Sequence, residues 1–479
     1  RALGKRTWQV NDLVALGNLA AEGQYDRDAA DAYYREALEL AESVGATTDA
    51  ALAMAAYGRF LSQAGRFDEA EARLTEAYDR WVAAGNRVGE AWTLIDLGHL
   101  NELRGDFERA REQYEASLAI GEAINDLGRV GTALAYLGDL AGVLAQFDEA
   151  EAFHRLALAV SEESANLWGQ AGALNGLGNL AEDRADYAAA LDAYARADSL
   201  YDALGSDIAR AGPINNAGVV HLFQGDYAAA LGAFERTRAI YEAAGQEDAG
   251  LLVAELNVAR ALLEQQRWDE ASAANARAFA LAARFGLDRI TAAVLYNDGR
   301  IALERPEPDP AAAAASMRRA VVILETTDEQ SRLTEALGVL GRALLANGEA
   351  GAAETMLERA ATLASDLGMP QHVWEPTYTL ALIREQQGRD AAAVALLRQA
   401  VEAMETVRAR VVGGQEAQRR FAEGGPKVRV YEALVAAMPA PRAMRRVTTS
   451  SSPSSSSAWS TSSAKARSGR VDVPAKITS

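Results

Sequence analysis

The six residues Gly65-Arg66-Phe67-Asp68-Glu69-Ala70 recur along the chain in closely related form. Each strong copy has turn-forming or polar residues before an aromatic residue, and an alanine three residues after it. The final residue of the strong copies is Ala70, Ala110, Ala150, Ala190, Ala230 or Ala271, and weaker copies place it at Ala30, Ala313, Ala353 and Ala393. Successive copies lie 40 to 42 residues apart, which indicates one structural unit repeated about ten times.

Most units also carry a glycine twelve residues before that alanine and a large residue four residues after it. Examples are Gly98 with Tyr114 and Gly138 with His154. A small residue facing a large one lets two helix backbones approach closely. The glycine before the aromatic residue is typical of a helix C-terminus, and the acidic residue beside it favours a helix N-terminus. The pattern therefore predicts a pair of packed helices in every unit.

Proline usage supports a helical chain. Of 11 prolines, only Pro213 lies within the first 305 residues. Proline inside a helix removes a hydrogen bond and clashes with the preceding turn, so its scarcity favours helix throughout this region. A different segment, Arg305-Pro-Glu-Pro-Asp-Pro310, interrupts the eighth unit, where it predicts a longer and stiffer turn. The first unit contains one inserted residue near Tyr25.

The repeat resembles the tetratricopeptide repeat, whose helix–turn–helix unit has Leu-Gly, aromatic and alanine positions in this order. The period of 40 exceeds the family's usual 34, which resembles the repeats of bacterial signalling regulators and kinesin-light-chain-like adaptors. The resemblance covers about residues 9–410 and implies an all-α, right-handed α-solenoid. We expect the solenoid to span 1–410, a helical cap or linker to span 411–440, and a disordered tail to span 441–479.

The end of the chain differs from the repeats. Residues 403–410, with Phe421, Lys427 and Tyr431, resemble the segment that links tetratricopeptide repeats to a CHAT domain; the alternative is an ordinary helical cap. The tail is rich in serine and carries a charge of +6, which leaves −25 for the rest of a chain whose total is −19. Such a composition cannot form a core. We interpret the tail as non-functional, the alternative being a basic tether for an acidic partner or for the solenoid itself.

Composition also excludes several classes of chemistry. The chain contains no cysteine and four scattered histidines, so we expect no metal site and no cysteine nucleophile. No phosphate-binding loop or nucleophile elbow occurs, so no cofactor and no enzymatic activity are expected. The strong negative charge argues against nucleic-acid binding. With no run long enough to span a membrane and no signal peptide, the sequence predicts a cytoplasmic protein.

The first helix of each unit lines the inner face in the tetratricopeptide family, and the resemblance places residues beside the Leu-Gly pair in that groove. The groove should be acidic near the third and fourth units, rich in amides in the middle, and basic from the seventh to the ninth. These candidate residues are Arg59, Asp96, His99, Tyr136, Asp139, Asn175, Asn179, Asn215, Asn216, Asn257, Arg260, Asn297, Arg300 and Arg342.

An extended peptide or a partner helix could lie along these side chains. Asparagine both donates and accepts hydrogen bonds, and arginine suits carboxylates, so the acidic part of the partner should face Arg260, Arg300 and Arg342. The alternative is that the asparagines only bridge neighbouring helices and the arginines pair with nearby acids. Trp92, Trp268 and Trp374 are expected in the core, and His154 and His221 as packed or groove-lining residues.

These features predict a non-catalytic protein-interaction scaffold, the sensing or regulatory part of a bacterial signalling or CHAT-type protein. One alternative is the sensor arm of a nucleotide-switch transcription regulator of the STAND type. Another is the regulatory part of an enzyme whose catalytic domain lies outside this chain. Self-association of the solenoid is possible under each hypothesis. Because the chain begins with Arg1 and its first methionine is Met54, we expect it to be part of a longer protein.

Overall fold

A computed structural model describes residues 2–23, 26–184, 186–246, 249–285, 288–327, 329–410 and 426–437. Within these ranges the chain is built from α-helices without β-strands. The helices are α1 (Ala2–Asn18), α2 (Arg27–Ser43), α3 (Thr47–Gln63), α4 (Phe67–Ala84), α5 (Arg87–Arg104), α6 (Phe107–Ala123), α7 (Leu127–Val143), α8 (Phe147–Glu163), α9 (Leu167–Asp183), α10 (Tyr187–Ala203), α11 (Asp207–Phe223), α12 (Tyr227–Ala243), α13 (Ala249–Glu264), α14 (Trp268–Phe285), α15 (Asp288–Glu304), α16 (Pro310–Glu325), α17 (Gln330–Ala346), α18 (Ala350–Asp366), α19 (Pro370–Gln386), α20 (Asp390–Arg410) and α21 (Pro426–Ala437).

Each helix packs against the next one along the chain, so successive pairs stack into a solenoid. The contacts between helices two apart join odd-numbered helices, for example α3 with α5 and α7 with α9. The odd-numbered helices therefore form the inner layer and the even-numbered helices the outer layer. This arrangement confirms the predicted all-α solenoid of helix–turn–helix repeats.

Small and large residues interlock within each pair, as the pattern predicts. A methyl carbon placed on Gly98 of α5 would lie 2.3 Å from Cε1 of Tyr114 in α6, and one on Gly178 would lie 2.5 Å from Cε1 of Tyr194. Tyr114 and Tyr194 are almost fully buried. The missing side chain is thus what allows the tyrosine ring to sit against the inner helix.

The turn inside most repeats is short, and α5 and α6 show its geometry. Gly105 has φ = 80°, a left-handed conformation that glycine adopts without strain. Asp106 follows, and its side chain accepts a hydrogen bond from the backbone N–H of Arg109 at 3.2 Å. A left-handed glycine ends α5 and an aspartate cap starts α6, which confirms the predicted helix boundaries.

The first and eighth units depart from the regular repeat at the positions where their sequences depart from the pattern. In the first unit α1 ends in a π-helical turn at Leu19–Gly23, which accommodates one extra residue. In the eighth unit residues 305–309 form the longer turn, and the side chain of Asp309 caps α16 by accepting from the N–H of Ala312 at 2.9 Å. Both departures stay local, and the stacking of the helices continues beyond them.

The last repeat is covered by α21, which packs on α20. Val430 is completely buried and belongs to one apolar cluster with Ala400 and Met404. The predicted linker therefore includes a packed helix, whereas residues 411–425 and the tail 441–479 lie outside the described residues. No helix in the described ranges combines the length and apolar character needed to cross a bilayer.

Candidate functional site

The inner face of α5 shows which side chains line the groove. Trp92, Asp96, His99 and Leu103 are partly or largely exposed, whereas most residues between them are buried. Their spacings of four, three and four residues place them along one side of the helix. Equivalent positions on the other odd-numbered helices form the concave surface of the solenoid.

The predicted asparagines of the middle repeats are brought together. The Nδ2 group of Asn216 donates to Oδ1 of Asn179 at 3.2 Å and to Oδ1 of Asn175 at 3.4 Å. The Nδ2 group of Asn257 donates to Oδ1 of Asn215 at 2.8 Å, and Asn215 donates to Oδ1 of Asn216 at 3.4 Å. These five residues, which we term the amide ladder, connect α9, α11 and α13. Since each amide has two N–H groups and an oxygen with two lone pairs, bonding capacity remains for a ligand.

The groove of the second to fourth repeats contains a mostly buried carboxylate beside an exposed arginine. Nε of Arg59 lies 3.2 Å from Oδ1 of Asp96. Burial raises the pKa of Asp96 to about 6, against the opposing effect of Arg59. Tyr136 stacks on Tyr114 with ring centroids 5.3 Å apart, and burial raises its pKa as well. His99 lies half-buried on the same face, one turn after Asp96.

Asp139 extends this acidic part of the groove. Oδ1 of Asp139 lies 3.5 Å from Nε2 of His154, whose ring is buried between the inner helices α7 and α9. Burial lowers the pKa of His154 to about 4, so the ring is neutral at pH 7. Burial, with a smaller effect of the Glu102 charge, raises the pKa of Asp139 to about 6. His154 is therefore a packed residue, as predicted.

The predicted basic part of the groove is a chain of alternating charges. Arg300 lies 2.8 Å from Glu264 and 3.0 Å from Glu304. Arg342 lies 3.4 Å from Glu304 and 3.0 Å from Glu375. These pairs join four consecutive inner helices, α13 to α19. The structure thus gives Arg300 and Arg342 the acidic neighbours that the alternative interpretation required.

Arg260 differs from the other two arginines. Its side chain is exposed on α13, one turn after Asn257, and within the described residues it forms no ion pair. Asn297, predicted to line the groove, is only 5% exposed. The prediction for Asn297 is wrong because the open face of α15 runs through Tyr296, Arg300 and Glu304, so that Asn297 turns toward the interior.

One tryptophan that the sequence interpretation did not place in the groove lies on the exposed side of α5. Trp92 is 46% exposed, with the guanidinium of Arg129 4.4 Å from its ring centre. Trp168 is 52% exposed, but its ring contacts Tyr201 of the outer helix α10, with centroids 5.1 Å apart. The expectation of a core position for Trp92 is wrong, although Trp268 and Trp374 do pack against buried clusters. Trp92 precedes Asp96 by four residues, so helical spacing alone could have placed it in the groove.

The described side chains contain no group of three or more histidines and acids arranged to hold a metal ion. The groove is instead a continuous surface of amides, carboxylates, guanidinium groups and tryptophan rings. Such a surface can bind by hydrogen bonding, charge and apolar contact along its length. Its chemistry suits recognition of an elongated molecule.

Comparisons with known proteins agree with this architecture. The tetratricopeptide repeat family model matches residues 49–123. A search of curated proteins finds no match to this chain. Among solved structures, a Rap protein complexed with Competence and Sporulation Factor is similar, with 14% identity, a TM-score of 0.51, and coverage of 77% of this chain and 99% of that one.

Two further structures share the fold. A STAND protein with a tetratricopeptide repeat sensor from Pyrococcus horikoshii has 12% identity and a TM-score of 0.52, with coverage of 71% of this chain and 51% of that one. Aspartyl phosphate phosphatase F from Bacillus subtilis has 12% identity and a TM-score of 0.50, with coverage of 75% and 93%. At these identities the similarity concerns the fold. The family model identifies tetratricopeptide repeats at residues 49–123, and the stacked helix pairs of the described residues share the fold of these structures.

Proposed function

We propose that the chain is a non-catalytic interaction scaffold whose concave groove binds an extended peptide or a partner helix. The amide ladder carries this proposal, because it presents hydrogen-bonding groups from three successive inner helices on one surface. In this proposal the chain is the regulatory part of a bacterial signalling protein and works in the cytoplasm.

The amides suit the backbone of a partner, and Arg260 suits its charge. An extended backbone exposes N–H and C=O groups in alternation, and asparagine can satisfy both. Arg260 lies beside Asn257 at the end of the amide ladder, and its guanidinium is available for a carboxylate. Arg300 and Arg342 already share Glu304, so binding there would first have to break ion pairs. We therefore propose that the acidic part of the partner contacts Arg260.

Peptide selection tests the proposal. Short random peptides would be displayed and selected on the full chain, and the enriched sequences measured for affinity. The variant Asn216→Ala/Asn257→Ala should weaken their binding by about tenfold or more, because each lost amide bond is worth about 1 kcal/mol. Arg260→Glu should weaken the acidic peptides selectively.

The control variant is Glu115→Ala/Glu235→Ala, which changes two exposed residues of outer helices and should leave affinity unchanged. Equal binding of the selected peptides to the wild type and to the asparagine variant would overturn the groove assignment. Loss of binding in the control variant would place the interaction on the outer layer instead.

The second candidate is the sensor arm of a STAND-type regulator. Similarity to the Pyrococcus horikoshii protein, in which a tetratricopeptide repeat serves as the sensor, favours it. The CHAT-linked hypothesis rests on residues 403–410, Lys427 and Tyr431; Phe421 lies outside the described residues. Neighbouring coding sequence discriminates between them: an upstream phosphate-binding loop favours the regulator, and a downstream caspase-like domain with His and Cys favours the CHAT-type protein.

A further inference from the structure

A cavity of about 490 Å³ opens on the outer layer of the solenoid, away from the concave groove. Its walls are the neighbouring outer helices α10 and α12, and its floor is the inner helix α11 between them. Pro213, Ile214 and Ala217 provide the apolar floor. The volume falls within the range of small-molecule sites, about 300–1,000 Å³.

The floor departs from the repeat's own pattern. Ala217 occupies the position that Leu137 and Leu177 hold in the two preceding units, so the residue before the conserved glycine has lost its large side chain. Pro213 stands where Ala173 stands in the preceding unit, and it removes a backbone donor from the middle of α11. The sixth unit thus lacks the packing that fills this space elsewhere.

The walls depart from the pattern at the same place. Ala233 of α12 occupies the position held by Phe153 in α8, and Ala195 of α10 the position held by Arg155. Gly232 adds open space, since nothing lies within 4 Å of where its side chain would begin. Small residues contributed by three helices therefore surround one opening, which lies between the fifth and sixth units.

Two polar groups at the cavity are available to a ligand. Nδ1 of His221 is buried and has no hydrogen-bond partner among the described residues. The side chain of Arg236 is 60% exposed and lies 3.5 Å from Oδ2 of Asp198. Asp198 also accepts from Nε of Arg210 at 2.7 Å, so its charge is compensated without Arg236. Arg236 can therefore bind a second carboxylate.

We propose that this cavity binds a small amphipathic carboxylate. Its apolar body would lie on Ile214 and Ala217, its carboxylate would accept hydrogen bonds from Arg236, and Nδ1 of His221 would bond to a polar atom of the ligand or its acid group. The site is independent of the concave groove, because its polar groups come from α11 and the outer helices. The scaffold would then bind a small molecule at this cavity in addition to a partner in the groove.

Calorimetric titration of the full chain with decanoate, decanol and decylamine tests the proposal. Decanoate should bind saturably at one site, and decanol and decylamine at least about tenfold more weakly, because neither offers Arg236 a negative charge. Arg236→Gln should weaken decanoate by about tenfold and leave decanol unchanged. Absence of saturable decanoate binding, or equal binding of all three compounds, would overturn the proposal.

Filling the cavity provides the structural test. Ala217→Leu and Ala233→Phe restore residue types that other units carry at these positions, so they should preserve or raise the melting temperature while abolishing decanoate binding. Ala239→Leu, which adds the same group at an exposed position of α12 outside the cavity, is the matched control and should bind normally. Undiminished binding to folded Ala217→Leu would show that the ligand sits elsewhere.

Discussion

At the residue scale, the solenoid depends on one repeated pairing of a small residue with a large one. In each pair a glycine of an inner helix faces a buried side chain of an outer helix, which fills the space that a side chain on the glycine would occupy. Examples are Gly98 with Tyr114 and Gly341 with Leu357. Interiors are close-packed, so even one extra methyl group at such a contact must displace its neighbours. The same residue type elsewhere has no such role: Gly172 of α9 faces open space.

The comparison of Gly98→Ala with Gly172→Ala tests this distinction. Gly98→Ala should lower the free energy of unfolding by about 1–3 kcal/mol through overpacking against Tyr114. Gly172→Ala should raise it by up to about 1 kcal/mol, because alanine favours helix and meets no atom. Urea denaturation of both variants measures the difference. Equal effects of the two substitutions would contradict the packing argument.

His154 should make stability depend on pH. Its pKa is about 4 in the folded protein and 6.5 ordinarily, so the unfolded chain binds a proton that the folded chain excludes. Its contribution to the free energy of unfolding is therefore intact above pH 6.5 and is lost as the pH falls toward 4. The loss amounts to about 2–3 kcal/mol near pH 4.5. Asp96 and Asp139, whose pKa values are raised, act in the opposite direction over the same range.

The variant His154→Phe isolates that contribution, because Phe234 occupies the equivalent position two units later. Urea denaturation near pH 7 and near pH 4.5 should show a smaller acid-induced loss in the variant than in the wild type, by about 2 kcal/mol. Asp96, which does not contact His154, remains in both proteins and cancels in the comparison, whereas Asp139 lies 3.5 Å from Nε2 of His154 and is controlled by making the same comparison in an Asp139→Asn background. Parallel pH profiles would exclude His154 as a source of acid sensitivity.

At the scale of the element, helix starts are not equally capped. The side chain of Asp226 accepts from the N–H of Ala229 at 3.0 Å and caps α12. Gln146 precedes α8 without a side-chain cap. Asp226→Ala should therefore lower the free energy of unfolding by about 1 kcal/mol, and Gln146→Asp should raise it by about 0.5–1 kcal/mol. Thermal denaturation checks both signs; a Gln146→Asp variant that melts earlier would contradict the capping argument.

The elements were predictable from the sequence, whereas several groove partners were not. Helix ends followed from residues such as Gly105 and Asp106, because their effect is local. Arg300 forms an ion pair with Glu264 and Arg342 one with Glu375, and the partners in each pair lie more than thirty residues apart in sequence. Sequence spacing alone does not show whether such charges pair with each other or are left to bind a ligand. Asn297 was misplaced because its position beside the small residue of α15 does not reveal that the folded chain leaves only 5% of it exposed.

At the scale of the whole molecule, stability is distributed along a row of neighbouring interfaces. Each helix contacts its neighbours in the row, and the buried residues fall into successive clusters. In such an array the free energy of unfolding is approximately a sum over units and their interfaces. Within the described residues the unit of α1 and α2 has a neighbouring unit on one side, and α1 leaves Trp8 75% exposed.

Hydrogen exchange should follow this order. Amides of α1 and α2 should exchange at least about tenfold faster than those of α7 and α8, because opening an end unit disrupts one interface and opening an internal unit disrupts two. Mass spectrometry of the native full chain resolves the helices. Uniform protection along the chain would indicate a single cooperative unit and would contradict the additive description.

The π-helical turn at Leu19–Gly23 has a consequence for how this chain could change over generations. An additional residue inside an α-helix rotates everything beyond it by about 100°, which would turn an apolar face toward water. Here the π-helical turn accommodates the additional residue within one wider turn, so Tyr34 of α2 is still buried in the interior. The boundary between the paired helices is thus where length variation costs least. Insertions fixed in related chains should concentrate at these boundaries, leaving the helical faces in phase.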